Sequence, residues 1–412
     1  QRPARAFPVD DELAARILAR IPLALTGDQD RAVRSLWHRL AGPSAMGVLL
    51  QGDVGTGKTA VAVAAALAVL ARGGRVAFLA PTELLAEQHF ATVSRWLAAS
   101  DVRVVLFTAT TRKNLGAELA AEMARPGAVF AFGTHALISS AVELPQLGLA
   151  IVDEQHRFGV GQRMALVGKG DNPHVLVMTA TPIPRTLALS LFGDLDGESL
   201  RQRPPGHRDV PAIWLATAKW GRAVASIARS VRRGGRVFVV CPAVGEDGEK
   251  GGVVKLHATL QARFRCGLVH GRMKPGERQQ VVTAFRDGVI DVLVGTTVLE
   301  VGVDVPEATL MVVVSADRFG IATLHQLRGR VGRGHRRGLC LLCGPRTERV
   351  AAVSGTTDGF ELAERDLAIR GSGELLGTAQ SGFVDLRALD PSEDLELLLR
   401  VREAVRVARS GL

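Results

Sequence analysis

Tyrosine is absent from the 412-residue sequence, and aromatic residues make up only 4% of it. Cores without large rings must rest on Val, Leu, Ala and Ile, which favours α/β layers over aromatic-rich sandwiches. Cysteine is scarce too, occurring only at Cys241, Cys266, Cys340 and Cys343. Cys340 and Cys343 have a metal-like spacing, but the run Leu339-Cys340-Leu341-Leu342-Cys343 reads as a buried strand. One C-x-x-C without a second pair or nearby histidines makes a poor zinc site, so four reduced thiols in a reducing compartment are expected. No apolar run reaches the roughly 18 residues of a membrane helix, and no signal peptide heads the chain. The expected address is the cytoplasm, without membrane contact. Residue 1 is Gln1, not Met, so a natural N-terminal part is expected to be missing.

What is abundant is positive charge. The formal net charge is +10, carried mostly by arginine. A basic surface attracts a polyanion, and guanidinium groups fork onto phosphate. A GC-rich coding bias could explain arginine over lysine, but not the net charge. Hydrophobic residues make up 47% of the chain, enough for more than one core.

Short apolar runs alternate with helical stretches. Arg5 to Arg39 reads as helical, broken near Pro22 and Thr26-Gly27. Strands are expected at Val48 to Gln51, Arg75 to Ala80, Val102 to Phe107, Ala128 to Phe132, Leu149 to Val152 and Val175 to Met178. Arg203-Pro204-Pro205-Gly206 reads as a linker. A second series follows, with strands at Arg236 to Cys241, Cys266 to Val269, Val289 to Val294, Leu310 to Val314 and Leu339 to Leu342. From Pro345 short helical pieces flank a glycine-rich loop, Arg370 to Gly382, before a helix at Ser392 to Arg409. The expected fold is α/β, with two tandem RecA-like P-loop domains of mostly parallel sheet and a small C-terminal helical hairpin or loop element. The expected domains are 1–205, 206–345 and 346–412.

Gly52-Asp53-Val54-Gly55-Thr56-Gly57-Lys58-Thr59 matches the full phosphate-loop pattern between a predicted strand and a predicted helix. Glycines let the backbone curl so that N–H groups face phosphate oxygens, and the helix N-terminus adds a favourable dipole. Lys58 is expected to reach the β- and γ-phosphates, and the Thr59 hydroxyl to hold Mg²⁺. Leu149 to Glu154 reads as a strand ending in two carboxylates. Asp153 can hold Mg²⁺, and Glu154 can orient or deprotonate an attacking water. Either acid alone would be an ordinary strand-end residue.

Gln326-Leu327-Arg328-Gly329-Arg330-Val331-Gly332-Arg333 crowds three arginines into six positions. Arg330 and Arg333 share a face if this stretch is helical. Buried guanidinium groups need an anion, which ATP on the first lobe would provide. A surface nucleic-acid patch is the alternative.

These residues resemble superfamily 2 helicases, and most closely the RecG family of bacterial DNA helicases that remodel stalled replication forks. The similarity runs from about Phe7 to the C-terminus and covers the family's motor portion, without its N-terminal wedge domain. It rests on Gln51 to Thr59, Asp153 to Gly159, Met178 to Thr186, Thr296 to Pro306, Gln326 to Gly334 and Arg370 to Gly382. The resemblance implies an ATP-driven helicase or translocase on duplex or branched DNA, in repair and recombination. It implies ATP and Mg²⁺ as cofactors, action at the nucleoid as a monomer, and single-stranded-DNA-binding protein as a partner.

By the same resemblance, Thr26 and Gln29 belong to an adenine-recognition motif, and Gly302 and Asp304 join the nucleotide site. Gln326, Arg330 and Arg333 complete the catalytic set with Lys58, Thr59, Asp153 and Glu154. DNA contacts are implied for Thr82, Thr134, His135, Arg157, Thr179, Thr181, Arg185, His270, Arg272, Thr296, Thr297, Arg370 and Gln380. Without the family, Thr82 and Thr134 read as helix caps or turn residues and His135 and His270 as loop histidines.

The chain departs from the family pattern at Val48, Ala109, Val314, Ser315 and Ala379, the last standing where the translocation loop usually has Arg. Rival readings are a motor of the transcription–repair coupling or restriction type, a diverged paralogue with ATPase activity but weak unwinding, a nucleic-acid scaffold without catalysis, and a small-molecule kinase or GTPase. The last class would leave the second lobe and its arginines unexplained.

Overall fold

The structure is a computed structural model that describes residues 3–125, 127–139, 142, 144–154, 168, 170, 172–182, 195–206, 208–242, 252–300, 305–377, 400 and 404. The chain divides into two compact units, Gln1–Pro205 with Ser372–Leu412, and Gly206–Gly371.

The first unit opens on helices α1 (Asp11–Arg20) and α2 (Gly27–Leu40). The helix expected from Arg5 starts only at Asp11, where Asp10 caps it by accepting from Leu13 N. Then come β1 (Gly47–Gly52), α3 (Lys58–Ala71), β2 (Arg75–Leu79), α4 (Glu83–Trp96), β3 (Arg103–Phe107), α5 (Ala109–Ala124), β4 (Val129–Gly133), α6 (His135–Ile138), β5 (Leu147–Val152), β6 (His174–Thr179) and β7 (Asp196–Leu200). The strands make one parallel sheet in the order β3-β4-β2-β5-β6-β1-β7.

Burial on both faces explains why the central strands are continuous apolar runs, so that β2, β4 and β5 are buried at every position. Helix α3 is buried nearly all round, with Ala60 to Leu70 no more than 7% exposed. Its alanines let it lie close to the sheet beneath α1 and α2, and the Trp37 indole N–H of α2 donates to the Ala64 carbonyl at 3.1 Å.

Strand β7 lengthens the expected series. Its sequence Asp-Gly-Glu-Ser-Leu has no apolar run, because an edge strand buries little. Polar ties to α2 hold it instead. Arg39 pairs with Asp196, and the Ser35 hydroxyl meets Glu198 at 2.5 Å.

The second unit contains β8 (Ala212–Leu215), α7 (Trp220–Arg232), β9 (Arg236–Val240), α8 (Gly252–Gln261), β10 (Cys266–Val269), α9 (Pro275–Arg286), β11 (Val292–Gly295), β12 (Ala308–Val314), α10 (Ile321–Arg328), β13 (Leu339–Cys343) and α11 (Glu348–Gly355), and α12 (Gly359–Gly377) begins in it and runs past its boundary at Gly371. Its parallel sheet has the order β10-β11-β9-β12-β13-β8. Edge strand β8 was also outside the expected series, and Ile213 within it is half exposed. Cys340 and Cys343 are buried in β13 as free thiols. Burial pushes Cys340 up to about 12 and Cys343 up to about 11. Among the described residues no His, Cys, Asp and Glu cluster could hold a metal ion, and no helix is long and apolar enough to cross a membrane.

Helix α12 differs from expectation. The stretch from Arg370 to Gly377, read as loop, is the last two turns of this helix. Each interior glycine costs a helix only about 1 kcal/mol, and the surrounding Leu, Glu and Ile residues offset it. The loop at Gly245 to Gly252 lies largely outside the described residues, as do most of the helix at Ser392 to Arg409 and the segment 378–382.

Candidate nucleotide site

Parallel pairing brings the C-terminal ends of the central strands of the first unit to one edge. Gln51 of β1 is in register with Thr179 of β6, and Leu79 of β2 with Val152 of β5. The phosphate loop, Thr179 to Thr181, Asp153-Glu154, Thr82 and Thr134-His135 therefore all follow strands that end on the same side. This is where open α/β sheets carry their chemistry.

The loop between β1 and α3 curls through left-handed backbone at Gly55 (φ 82°) and Gly57 (φ 75°). Side chains disfavour that region. At Gly57 a Cβ would also sit 2.3 Å from Gln29 Nε2, and Gln29 would have to leave its bond to Thr56 to make room. The Thr56 hydroxyl donates to the Asp53 carbonyl at 2.9 Å. The Lys58 ammonium is buried and donates to the carbonyls of Gly52 at 2.7 Å and Asp53 at 3.0 Å. Val54, next in the loop, donates its N–H to the Asp53 carboxylate at 2.6 Å. A cation held inside a ring of backbone, at the first turn of a helix, suits a polyphosphate.

Gln29 was expected to present its amide to an adenine edge. Here Oε1 accepts from Thr26 N at 2.8 Å, and Nε2 donates to the Thr56 carbonyl at 2.7 Å. The Thr26–Gln29 capping box thus ties the start of α2 to the phosphate loop.

Asp153 is buried at the end of β5, and its N–H donates to the Leu79 carbonyl at 2.9 Å. Its Oδ1 accepts the Glu154 N–H at 3.1 Å. Glu154 has φ 51°, a left-handed conformation unusual for a non-glycine residue and typical of strained functional turns. Thr59 lies half-buried in the first turn of α3. A threonine hydroxyl with an aspartate carboxylate is a hard-oxygen donor set, and such donors suit Mg²⁺.

Thr82 is the N-cap of α4, and its hydroxyl accepts from Leu85 N at 3.3 Å. Its cap role and the expected phosphate contact therefore share one oxygen. Thr134 occupies the N-cap position of α6 without a side-chain bond, leaving exposed His135 to follow. Thr179 and Thr181 bond each other, hydroxyl to hydroxyl at 3.1 Å. In the second unit, His270 and exposed Arg272 follow β10, and buried Thr296 with half-buried Thr297 follow β11. Arg157, Arg185, Gly302, Asp304, Gln380 and the side chain of Arg370 lie outside the described residues.

The arginine motif is not helical throughout. Helix α10 stops at Arg328, with Gly329 as C-cap, so Arg330 and Arg333 sit in the following turns rather than on one helical face. Gly332 in left-handed backbone (φ 73°) prevents continuation. Gln326 is buried, Arg330 half-buried and Arg333 exposed, with Arg333 Nε donating to the Gly329 carbonyl at 2.9 Å. Arg328 is structural: it donates to the carbonyls of Val353 at 2.9 Å and Thr356 at 2.6 Å, and pairs with His325 Nδ1 at 2.6 Å.

Three features were missed by sequence reading. His89 of α4 contacts the Asp153 carboxylate. Asp28 of α2 accepts from Arg201 N at 2.8 Å and Gln202 N at 2.7 Å. Arg203 pairs with Asp53 of the phosphate loop at 2.6 Å. All join residues from 64 to 174 positions apart, with no local motif to announce them.

Two parallel sheets, the first with a phosphate loop and strand-end acids and the second with an arginine motif, define a tandem RecA-like fold. Residues 26–189 match the DEAD/DEAH box helicase family model and residues 221–335 the helicase conserved C-terminal domain. Residues 356–409 match the model for ATP-dependent DNA helicase RecG, domain 3, C-terminal. The chain is RecG-like, with both helicase domains followed by the C-terminal RecG domain. It is 43% identical over 416 residues to the ATP-dependent DNA helicase RecG of Synechocystis sp., covering 98% of this chain and 50% of the relative. It is 40% identical to the RecG of Bacillus subtilis, covering 95% of this chain and 59% of the relative. The chain thus spans about half to three fifths of the length of these curated relatives. A solved structure of RecG bound to a three-way DNA junction superposes with a TM-score of 0.77 at 36% identity, over 95% of this chain and 53% of that one. Dbp5 of S. cerevisiae, solved with RNA and ADP BeF3, shares the fold at TM-score 0.62 and 17% identity, covering 98% of this chain and 100% of that one.

Proposed function

We propose that the chain is the motor of an ATP-dependent DNA helicase or translocase that acts on branched DNA, such as replication forks and Holliday junctions, in repair and recombination. The observation that carries this reading is the curled phosphate loop, with Gly55 and Gly57 left-handed and the Lys58 ammonium enclosed by loop carbonyls. The family match and the junction-bound relative support branched DNA as substrate.

In this reading Lys58 and the loop N–H groups bind the ATP phosphates, with Thr26, Gln29, Gly302 and Asp304 completing the nucleotide site. Thr59 and Asp153 hold Mg²⁺, which supplies charge neutralisation at the phosphoryl oxygens when bound. Glu154 orients the attacking water and accepts its proton. Arg330 and Arg333 neutralise charge developing on the transferred phosphoryl group, and Gln326, an uncharged amide, completes the catalytic set by hydrogen bonding. The threonines after β2, β4, β6 and β11, with His135, His270 and Arg272, hold DNA phosphates without reading sequence. Arg157, Arg185, Arg370 and Gln380 belong to the same contact set. The motor works as a monomer at the nucleoid, with single-stranded-DNA-binding protein as a partner.

The test is steady-state ATP hydrolysis without DNA and with single strands, duplex and model forks. Forks should stimulate most, and a rate indifferent to every DNA would defeat the proposal. Lys58→Ala should abolish turnover. Arg333→Ala should cut turnover sharply while nucleotide binding persists.

A further inference from the structure

Asp153 is tied once to the end of β2 and once to α4. Its main-chain N–H donates to the Leu79 carbonyl at 2.9 Å, where β2 ends just before Pro81 and Thr82. Its side-chain Oδ2 lies 3.1 Å from Nε2 of His89, seven residues beyond Thr82 on α4. The two side chains are only 14% and 12% exposed, so little water competes for this bond. An ionised carboxylate only accepts, so His89 Nε2 must be the donor. The ring is oriented from behind by Phe78 of β2, at 4.6 Å between centroids. Oδ1 is engaged by Glu154 N–H, so the His89 bond fixes the second oxygen and with it the plane of the carboxylate.

Seven residues make about two helical turns, or roughly 10 Å along the axis. Thr82 and His89 therefore lie on nearly one face of α4. The helix is braced at its start, where Glu83 accepts from the Thr110 hydroxyl at 2.8 Å. His89 is thus the link through which a shift imposed at Thr82 would reach the Asp153 carboxylate.

We infer that His89 is a positioning residue that sets the metal-holding carboxylate of Asp153 and, through α4, makes divalent-cation binding at Asp153 respond to DNA engaged at Thr82. This rests on the motor reading above, yet its test reads metal binding as well as turnover. Hydrogen-bond partners of metal-holding carboxylates typically matter by 10–100-fold in affinity or activity. Coupling between two ligands must also be reciprocal.

The experiment titrates Mn²⁺ into the ADP-loaded full chain, followed by electron paramagnetic resonance, with and without duplex DNA. The parent chain is compared with His89→Phe, which keeps a ring against Phe78 but cannot donate, and His89→Gln, whose amide restores a donor at a similar reach. His89→Phe should weaken Mn²⁺ binding roughly tenfold or more and erase the effect of DNA on it. His89→Gln should recover most of both, and thermal melting of each variant checks the fold. Parent-like metal binding and DNA response in His89→Phe would overturn the inference. So would a His89→Gln variant as impaired as His89→Phe, or a parent whose metal affinity ignores DNA. A parent that binds Mn²⁺ in a DNA-dependent way yet does not hydrolyse ATP would refute the proposed motor function and leave the role of His89 standing.

Discussion

Replacing Asp28 by Ala should loosen the segment Arg201–Pro205, leaving it held by the Arg203–Asp53 ion pair and by the Asp28 N–H bond to Gln202. The Asp28 side chain is 8% exposed. One oxygen, Oδ2, accepts the main-chain N–H groups of Arg201 and Gln202 at 2.8 and 2.7 Å. Hydrogen bonds to a charged group contribute about 1.5–3 kcal/mol, and two sharing one oxygen are less than additive, so the loss should be about 3 kcal/mol. For a domain of this size that corresponds to a fall in Tm of roughly 6–12 °C. Asp28→Asn keeps an acceptor oxygen and should lose about half as much. Circular-dichroism melting at pH 7 measures the shift, and limited trypsin digestion should show faster cutting at Arg201, the Arg203–Pro204 bond being resistant to trypsin. Burial opposes ionisation of Asp28, but the N–H groups of Gln202 and Arg201, aided by Arg31, outweigh it and hold the carboxyl below its usual range. The unfolded chain therefore binds this proton first as pH falls. The stabilisation is complete above about pH 4 and fades as the pH drops through the lower folded value. Asp28→Asn should lack that acid-sensitive component. An Asp28→Ala chain that melts like the parent, with Arg201 equally protected, would refute the reasoning.

Three further outcomes follow from the same contacts. Gly57→Ala places a methyl group 2.3 Å from Gln29 Nε2 in left-handed backbone, and should cost about 2–4 kcal/mol and nucleotide binding, read by melting and by fluorescent-ADP titration. His174 is buried, with Nδ1 accepting from Met46 N at 2.9 Å and Nε2 meeting the Arg5 carbonyl at 2.9 Å. Burial holds it below its usual range against the pull of that carbonyl, so the unfolded chain takes up a proton the folded one refuses. Stability should decline as pH falls below about 6.5, and His174→Gln should flatten this slope in melts from pH 7.5 to 5.5. Arg328→Ala leaves the Val353 and Thr356 carbonyls without their buried donor, and should destabilise the second unit by about 3 kcal/mol, measured by urea titration.

The sequence exposed those parts of the fold in which one local run carries the physics. The central strands were visible because burial on both faces forces unbroken Val, Leu, Ala and Ile. The phosphate loop was visible because its glycines are required by backbone shape alone. Strands β7 and β8 were hidden because edge pairing uses main-chain bonds and asks little of side chains. Val289, 63% exposed, looked like strand but belongs to the turn before β11. The i, i+3 spacing of Arg330 and Arg333 would put them on one face of a helix, but the helix ends at Arg328 and Gly332 bends the chain away. The contacts of His89, Asp28 and Arg203 could not be read, since each partner lies at least 64 positions away in the sequence.

The all-round burial of α3 has a mechanical corollary. A helix with a free face can roll or slide to absorb a disturbance at its tip. One walled in on every side by the sheet and by α1 and α2 has nowhere to go, so it acts as a fixed post. The backbone curl at Gly55 and Gly57 is braced from the side as well, by Gln29 on the Thr56 carbonyl and by Arg203 on Asp53.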